Sequence, residues 1–179
     1  MHEIETKVLG IDVKDITKKI EGLGAQKIQE VELRVDWFSL ANVDKNDQPW
    51  FLRVRSYSTG KIEVTWKGKP EITGTVRQVK EINVLVDDHE KMKMLFEAIG
   101  LVVYAHQEKK RVSWKLNNVQ FDLDTYPKMS SYLEIEAQSE KEITDMIKKL
   151  NLEEYESWND GERTLIEEKY KLNWSNMRF

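Results

Sequence analysis

The first seven residues contain two carboxylates and a lysine at alternate positions, in the segment Glu3-Ile4-Glu5-Thr6-Lys7. Successive side chains of a β-strand point to opposite faces, so Glu3, Glu5 and Lys7 would share one face of a strand. Near the other end of the chain, Glu134 and Glu136 repeat the acidic pair. Carboxylates that are held close together repel one another, and a hard divalent cation relieves that repulsion while accepting oxygen ligands. The two acidic pairs therefore predict a site for Mg²⁺ or Mn²⁺.

Basic residues recur at the same two-residue spacing between the acidic pairs. Arg53 and Arg55 flank one valine, and Lys109 and Arg111 flank Lys110. An arginine can hold two phosphate oxygens at once, whereas a lysine acts as a compact charge. A dense polyanion needs several fixed donors of this kind, so these residues predict a surface that binds phosphate groups.

The candidate site residues fall into three overlapping sets. The predicted metal ligands are Glu3, Glu5, Asp124, Glu134 and Glu136, with Asp122 and Glu81 as second choices. The predicted phosphate-binding residues are Lys7, Arg53, Arg55, Lys67, Lys109 and Arg111, with weaker support for Arg34 and Arg77. Direct participation in the reaction is predicted for Glu5, Lys7, Arg55, Lys67 and Arg111. For Asp122 and Glu81, simple pairing with an arginine remains an open alternative, and Lys110 has the parity of an outward-facing residue.

These charges lie on about eight predicted strands, which are separated by three predicted helices. The strands are predicted at 2–9, 26–39, 50–57, 61–68, 76–86, 102–116, 119–125 and 131–138. The helices are predicted to begin after the cap residues Asp12, Asp87 or Asp88, and Ser139. A last helical stretch is predicted near 162–171, and the tail from 172 to 179 is expected to be loosely held.

Two arrangements of these elements are consistent with the alternating charges. In the first, the apolar strand faces form an ordinary core and the charged faces meet water, as antiparallel sheets commonly do. In the second, the sheet closes into a barrel with a charged interior, and helices cover part of its apolar outer face. In-phase charges of both signs and the apolar stripes of the helices favour the second arrangement, but charge on one strand face is more often a solvated surface. The predicted fold class is therefore α+β with an antiparallel sheet, and the residues alone leave both arrangements open.

The ordered series of charged strands resembles the CYTH superfamily, also called triphosphate tunnel metalloenzymes. The resemblance runs from Met1 to about Leu152, and it implies a closed eight-stranded tunnel with a charged lumen and helices outside. It further implies one domain over 1–179, with a core over 1–152 and a helical extension over 153–179. This superfamily includes class IV adenylyl cyclases, thiamine triphosphatases and inorganic triphosphatases.

The resemblance assigns roles to individual residues. Its phosphate-binding positions correspond to Arg53, Arg55, Lys67 and Arg111, and its acidic positions to Glu3, Glu5, Asp124, Glu134 and Glu136. The segment from Tyr126 to Ser131 departs from the family pattern because it lacks the glycines often found there. That departure leaves open what the tunnel binds beyond the phosphate groups.

Three functions are compatible with these residues. The favoured one is a metal-dependent triphosphatase that cleaves tripolyphosphate, thiamine triphosphate or a nucleoside triphosphate. The second is a class IV adenylyl cyclase that makes cyclic AMP and pyrophosphate from ATP. The third is a module that binds triphosphate or polyphosphate without catalysis. The triphosphatase is favoured because it requires only features that the sequence displays. A cyclase would also need an adenine pocket, and none can be identified in the sequence.

Composition limits the other classes of function. The net charge of −4 argues against a general nucleic-acid partner, and the absence of cysteine excludes thiolate metal sites. His2, His89 and His106 are scattered and are interpreted as incidental. No apolar run has the length of a membrane span and no signal peptide is recognised, so a cytoplasmic protein is expected. Trp158, Trp174 and Phe179 would either cover a second subunit in a homodimer or pack on their own barrel.

Overall fold

The computed structural model describes residues 4–44, 48–68, 71–73, 76–78 and 80–179, and between 71 and 78 it describes the backbone alone. The described strands of five residues or more are β1 (Ile4–Val8), β2 (Gln26–Leu40), β3 (Trp50–Tyr57), β4 (Ile62–Gly68), β7 (Glu81–Val86), β8 (Leu101–Leu116), β9 (Val119–Thr125) and β10 (Tyr132–Ala137). The shorter strands are β5 (Glu71–Thr73), β6 (Val76–Gln78), β11 (Ser157–Trp158) and β12 (Asn176–Met177). The helices are α1 (Val13–Gly22), α2 (His89–Ala98), α3 (Glu140–Lys149) and α4 (Glu162–Thr164), which a π-helical segment (Leu165–Lys169) extends.

The three longer helices begin at the residues that the sequence predicts. The side chains of Asp12, Asp88 and Ser139 accept hydrogen bonds from backbone N–H groups three residues further on. These bonds satisfy donors that the first turn of a helix would otherwise leave unpaired. No helix in the described part of the chain is long and apolar enough to cross a membrane.

The strands form a large sheet in the order β11-β1-β10-β9-β8-β2-β3-β4-β7, and β12 pairs in parallel with β8. The fold is therefore α+β with a large, mainly antiparallel sheet, as predicted. Among the described strands, the order runs as an open hydrogen-bonded path from β11 to β7. The predicted closure of the sheet into a barrel thus stays a prediction.

The chain divides into two compact units. Unit 1 comprises Met1–Val31, Lys109–Asn173 and Phe179, and unit 2 comprises Glu32–Glu108 and Trp174–Arg178. In unit 1, one face of the strands packs against α1 and α3 in a core that includes Ile16, Phe121, Leu133 and Ile143. The side chains between these apolar strand residues belong to the opposite face, which is where unit 1 carries its charges.

Unit 2 has the same division between an apolar face and a charged face. Phe38, Leu52 and Val54 form a core with α2, and the ring of Phe96 meets that of Phe38 edge-on at 5.1 Å. Arg53 and Arg55 alternate with these apolar residues along β3 and therefore belong to the other face.

Two expectations about the chain path are wrong. The predicted strand over 76–86 is divided into β6, which pairs with β5, and β7, which pairs with β4. The tail is held by the fold, because β12 pairs with β8 and the side chains of Trp174 and Met177 are buried. Trp174 packs against Trp37 of its own chain, with the ring centroids 5.4 Å apart.

Candidate active site

Strand register in unit 1 brings five of the predicted site residues into rows across the sheet. Lys7 lies opposite Glu134, which lies opposite Asp122 on the next strand. One step along, Asp124 lies opposite Arg111. We call this side of β1, β10, β9 and the unit 1 part of β8 the carboxylate face. Alternation along each strand predicted which side chains share a face, and strand pairing then brings them into contact.

Arg111 is the most highly connected cation of the carboxylate face. Its Nε and Nη2 atoms donate to the two oxygens of Asp124 at 2.6 and 2.5 Å, and its Nη1 donates to Asp122 at 2.6 Å. A further contact of 3.2 Å joins Nη2 to Glu134. This two-pronged geometry suits a guanidinium group, and it fixes the orientation of the arginine before any ligand binds.

The cations determine the charge states of the neighbouring carboxyl groups. Burial alone would raise the pKa of Asp124, but Lys109 and Arg111 lower that pKa well below its usual range. Glu134 behaves in the opposite way, because burial and the nearby Asp124 and Glu5 raise its pKa despite the opposing effects of Arg111 and Lys7. Glu134 is thus a buried carboxyl group whose two cationic neighbours do not offset the effect of its burial and of the nearby carboxylates.

Lys7 is almost fully buried at 2 % exposure, so its ammonium group must be compensated locally. Its Nζ donates to Glu5 at 2.8 Å and lies 3.4 Å from Glu134. Burial lowers the pKa of Lys7, but the charges of Glu134 and Glu5 raise it by more. Glu5 is half exposed, at 49 % of its side chain, so it can also meet a ligand from solvent.

Lys109 links the carboxylate face to the C-terminal part of unit 1. Its Nζ lies 2.9 Å from Asp124 and 3.0 Å from Glu162 of α4, and it also lies over the ring of Tyr126 at 5.3 Å. Glu162 was not predicted as a site residue. It directly follows Gly161 at a helix start, where an acidic residue is common in any protein, so the sequence contains no signal that separates it from other helix residues.

Unit 2 carries a second group of predicted site residues on one face of β3 and β4. Arg53 lies opposite Thr65, Arg55 lies opposite Glu63, and Lys67 continues the alternation on β4. We call this the arginine face. Arg55 donates to Glu63 at 2.8 Å, and Lys67 lies 2.7 Å from Glu81. The contact with Lys67 agrees with the alternative that Glu81 pairs with a cation and does not bind the metal.

Two buried polar atoms of the arginine face have no hydrogen-bond partner within the described part of the chain. They are Nε of Arg55 and Oγ1 of Thr65, and the Thr65 residue as a whole is 1 % exposed. Buried polar groups are normally paired, so such atoms mark places where an additional group is expected to bind.

Comparison with known proteins identifies the family. The family model described as "CYTH domain" matches residues 1–165.

The chain belongs to the CYTH domain family.

Its curated relative "Putative adenylate cyclase MJ0240" from Methanocaldococcus jannaschii is 28 % identical over 149 residues, which are 83 % of this chain and 82 % of the relative. Among solved structures, the PH1012 protein of Pyrococcus horikoshii OT3 is 33 % identical with a TM-score of 0.68, covering 86 % of this chain and 94 % of that chain. The protein described as "Putative adenylyl cyclase HpAC1" from Hippeastrum is 14 % identical with a TM-score of 0.64, covering 93 % of this chain and 95 % of that chain, and shares the fold.

The acidic residues of this CYTH chain fit an oxygen-ligated divalent cation in their chemistry. Glu5 lies opposite Glu136 across β1 and β10, and burial, together with the charges of Asp124 and Glu5, raises the pKa of Glu134 beside them. Magnesium and manganese prefer such carboxylate ligands. Within the described residues, however, no three acidic or histidine side chains are already gathered as a ligand set. The oxygens of Glu5, Asp122, Asp124 and Glu134 instead contact the lysines and the arginine described above.

Some predicted residues lie elsewhere or outside the described part of the chain. Glu3 and the side chain of Arg77 fall outside the described residues. Arg34 lies opposite Ser56 and so belongs to the α2 side of the sheet, away from the face of Arg53 and Arg55; its weaker assignment to the phosphate site is wrong. Lys110 is exposed, as predicted.

A buried cluster on the α2 side of unit 2 contains two histidines that the sequence analysis interpreted as incidental. Asp36 accepts hydrogen bonds from His89 at 2.9 Å and from His106 at 2.5 Å, and Ser56 bonds the other ring nitrogen of His89 at 2.6 Å. Burial would raise the pKa of Asp36, but the two histidines lower it well below its usual range. Because residues 36, 89 and 106 are far apart in the sequence, no spacing signal could reveal the cluster.

Proposed function

We propose that this CYTH chain is a metal-dependent triphosphatase that hydrolyses an inorganic or organic triphosphate. The observation that carries the proposal is the carboxylate face, where Lys7, Lys109 and Arg111 are buried among Glu5, Asp122, Asp124 and Glu134. A protein without a charged ligand would have little reason to keep so many charges away from water, because desolvating each of them is unfavourable.

The basic side chains would bind and orient the phosphate groups. Arg111 is held in a fixed orientation by Asp122 and Asp124, so it loses little conformational freedom when a ligand binds. Four of its five N–H groups donate to carboxylates, and the remaining N–H of Nη1 would donate to a phosphate oxygen. Lys7 and Lys109 would supply compact charges beside it. Donors that are fixed before the reaction stabilise the charge that develops as the P–O bond breaks.

The acidic side chains would hold the divalent cation. Glu5, Glu134 and Glu136 are its ligands in this proposal, together with Glu3 from the sequence-based prediction. When bound, Mg²⁺ or Mn²⁺ neutralises phosphate charge and lowers the pKa of a bound water molecule. Asp124 would act differently from its predicted role as a ligand, since both of its oxygens already accept hydrogen bonds from Arg111 and Lys109.

The proposal retains the closed tunnel that the family resemblance implies. In that arrangement the arginine face supplies further phosphate contacts through Arg53, Arg55 and Lys67. The unpaired Nε of Arg55 and hydroxyl of Thr65 support this role, because a phosphate oxygen would satisfy such donors.

An adenylyl cyclase is the second candidate function. It is favoured by the name of the Methanocaldococcus jannaschii relative, which is a putative adenylate cyclase. The two activities use the same charged residues and differ in which phosphorus atom meets the nucleophile. "Putative adenylyl cyclase HpAC1", which has the same fold, is described as having a dominant triphosphatase activity, so a cyclase name is compatible with hydrolysis.

Replacement of one predicted ligand tests the proposal. Glu5→Gln keeps the size of the side chain but removes its charge, so it should lower kcat for phosphate release by at least about 100-fold. Glu154→Gln, at an exposed position in the same unit, is the matched control and should leave kcat unchanged. Equal kcat values for Glu5→Gln and the wild type would contradict the site assignment.

A further inference from the structure

Trp158 stands at the end of a row of charged residues on the carboxylate face. β11 pairs with β1 so that Trp158 lies opposite Lys7, and Lys7 in turn lies opposite Glu134. Directly opposed residues of an antiparallel pair lie on the same face of the sheet. The indole of Trp158 therefore belongs to the same face as the proposed phosphate-binding residues of unit 1.

The segment around Trp158 is fixed against β1 by hydrogen bonds on both sides of the tryptophan. The backbone N–H of Leu9 donates to the carbonyl of Glu156 at 2.9 Å. The hydroxyl of Thr6 donates to the side-chain oxygen of Asn159 at 2.7 Å. Trp158 thus occupies a defined position although β11 has only two residues.

The indole nitrogen of Trp158 is buried and has no hydrogen-bond partner among the residues that the structure describes. Two other indoles of the chain are paired: Nε1 of Trp37 donates to Gln107 at 2.8 Å, and that of Trp114 donates to Glu21 at 3.3 Å. An indole N–H can donate but cannot accept, so the missing partner must be an acceptor. An unpaired buried donor of this kind calls for an explanation.

We infer that the indole N–H of Trp158 donates a hydrogen bond to a phosphate oxygen of the bound triphosphate. The inference rests on the proposed function, and it assigns a binding role to a residue of the C-terminal extension. Phosphate is the acceptor that the surroundings favour, because Lys7, a buried residue with a cationic side chain, lies directly opposite Trp158 across the strand pair. A phosphate oxygen would be attracted by this charge and would pair the indole N–H at the same time.

NMR spectroscopy can observe this donor directly. The chain has six tryptophans, so the ¹⁵N-labelled protein gives six indole N–H resonances, and Trp158→Phe identifies the one that belongs to Trp158. Titration with inorganic tripolyphosphate, in EDTA and again with Mg²⁺, should move this proton resonance downfield as the hydrogen bond forms. Binding of tripolyphosphate that leaves the Trp158 resonance in place would overturn the inference.

Affinity provides the second readout. Trp158→Phe keeps the ring and removes the N–H, so calorimetry should show roughly 10- to 100-fold weaker binding of tripolyphosphate. Trp66→Phe is the matched control, since Trp66 is equally half-buried but packs on the apolar face of unit 2. If Trp158→Phe binds tripolyphosphate as tightly as the wild type does, this inference alone is overturned. If the wild-type protein binds no tripolyphosphate, either in EDTA or with Mg²⁺, both this inference and the proposed function are overturned.

Discussion

At the scale of single residues, the charged groups of the carboxylate face differ in how well they are compensated. Asp124 accepts hydrogen bonds from Arg111 and Lys109 and is fully buried as an anion. Glu134 has weaker contacts with Arg111 and Lys7, at 3.2 and 3.4 Å, and its pKa is raised. Glu134 is therefore the residue whose protonation should respond most strongly to an added cation.

Metal binding should be coupled to the protonation of Glu134. A carboxyl group with a raised pKa keeps its proton to higher pH, and a divalent cation binds only the deprotonated form. Mn²⁺ affinity should therefore fall as the pH is lowered through the raised pKa, which lies above the ordinary value of 4.5, and binding there should release protons. Calorimetry in buffers of different ionisation enthalpy measures this release.

Glu134→Gln is the control for the coupling, since it should remove the proton release while Glu154→Gln preserves it. Proton release that is the same in Glu134→Gln and the wild type would show that another group titrates. The sequence predicted that Glu134 lies on a charged face, because alternation along a strand fixes parity. It could not predict the pKa of Glu134, which depends on contacts with three other strands.

At the scale of elements, the Asp36 cluster connects α2 to the sheet of unit 2. His89 is the first residue of α2, His106 lies on β8, and both donate to Asp36 of β2. Arg34 approaches the same carboxylate at 3.6 Å, and His106 also contacts Glu108 at 3.3 Å. Three elements therefore meet at one buried anion.

Loss of the Asp36 charge should destabilise the fold. Asp36→Asn leaves His89 and His106 without their anionic partner, so it should lower the free energy of unfolding by about 3–5 kcal/mol in urea titrations at neutral pH. Because the pKa of Asp36 is lower in the folded state, this stabilisation is present above the unfolded pKa and is lost as the pH falls below it. Asp87→Asn, at an exposed site before α2, should change stability little; an equal effect of the two variants would contradict the assignment.

The tail is a second element whose role became clear from long-range pairing. Deletion of residues 174–179 removes the buried side chains of Trp174 and Met177 together with β12. The loss should be at least about 3–5 kcal/mol, the usual effect of removing a buried tryptophan side chain. Urea unfolding followed by circular dichroism measures it, with Phe179→Ala as control because that ring is 61 % exposed. An unchanged midpoint for the deletion would mean that the tail contributes nothing to stability.

The elements that the sequence predicted well are the long ones. Alternation of charged and apolar residues is visible in strands such as β3 and β10, and cap residues locate α1, α2 and α3. β11 and β12 have two residues each, so they contain no period that could be recognised. The boundary before β7 is fixed by its pairing with β4, a contact that local sequence does not encode.

At the scale of the whole molecule, the order of charged strands carried the correct family assignment. The order of charged residues along the chain agrees with membership of the CYTH family. Glu5 and Lys7 lie near the start, Arg53 and Arg55 in the middle and Glu134 near the end. The activity is less accessible, because hydrolysis and cyclisation of a triphosphate require the same charges. Only the position of the nucleophile relative to the phosphorus atoms separates them, and that position depends on the bound substrate.

A product assay on the wild-type protein tests the central claim most directly. Tripolyphosphate, thiamine triphosphate and ATP are each incubated with Mg²⁺ or Mn²⁺, and phosphate, pyrophosphate and cyclic AMP are quantified. We expect metal-dependent release of phosphate from at least one of the three, and none when EDTA replaces the metal. Cyclic AMP and pyrophosphate as the main products from ATP, or no turnover of any substrate with either metal, would contradict the assignment as a triphosphatase.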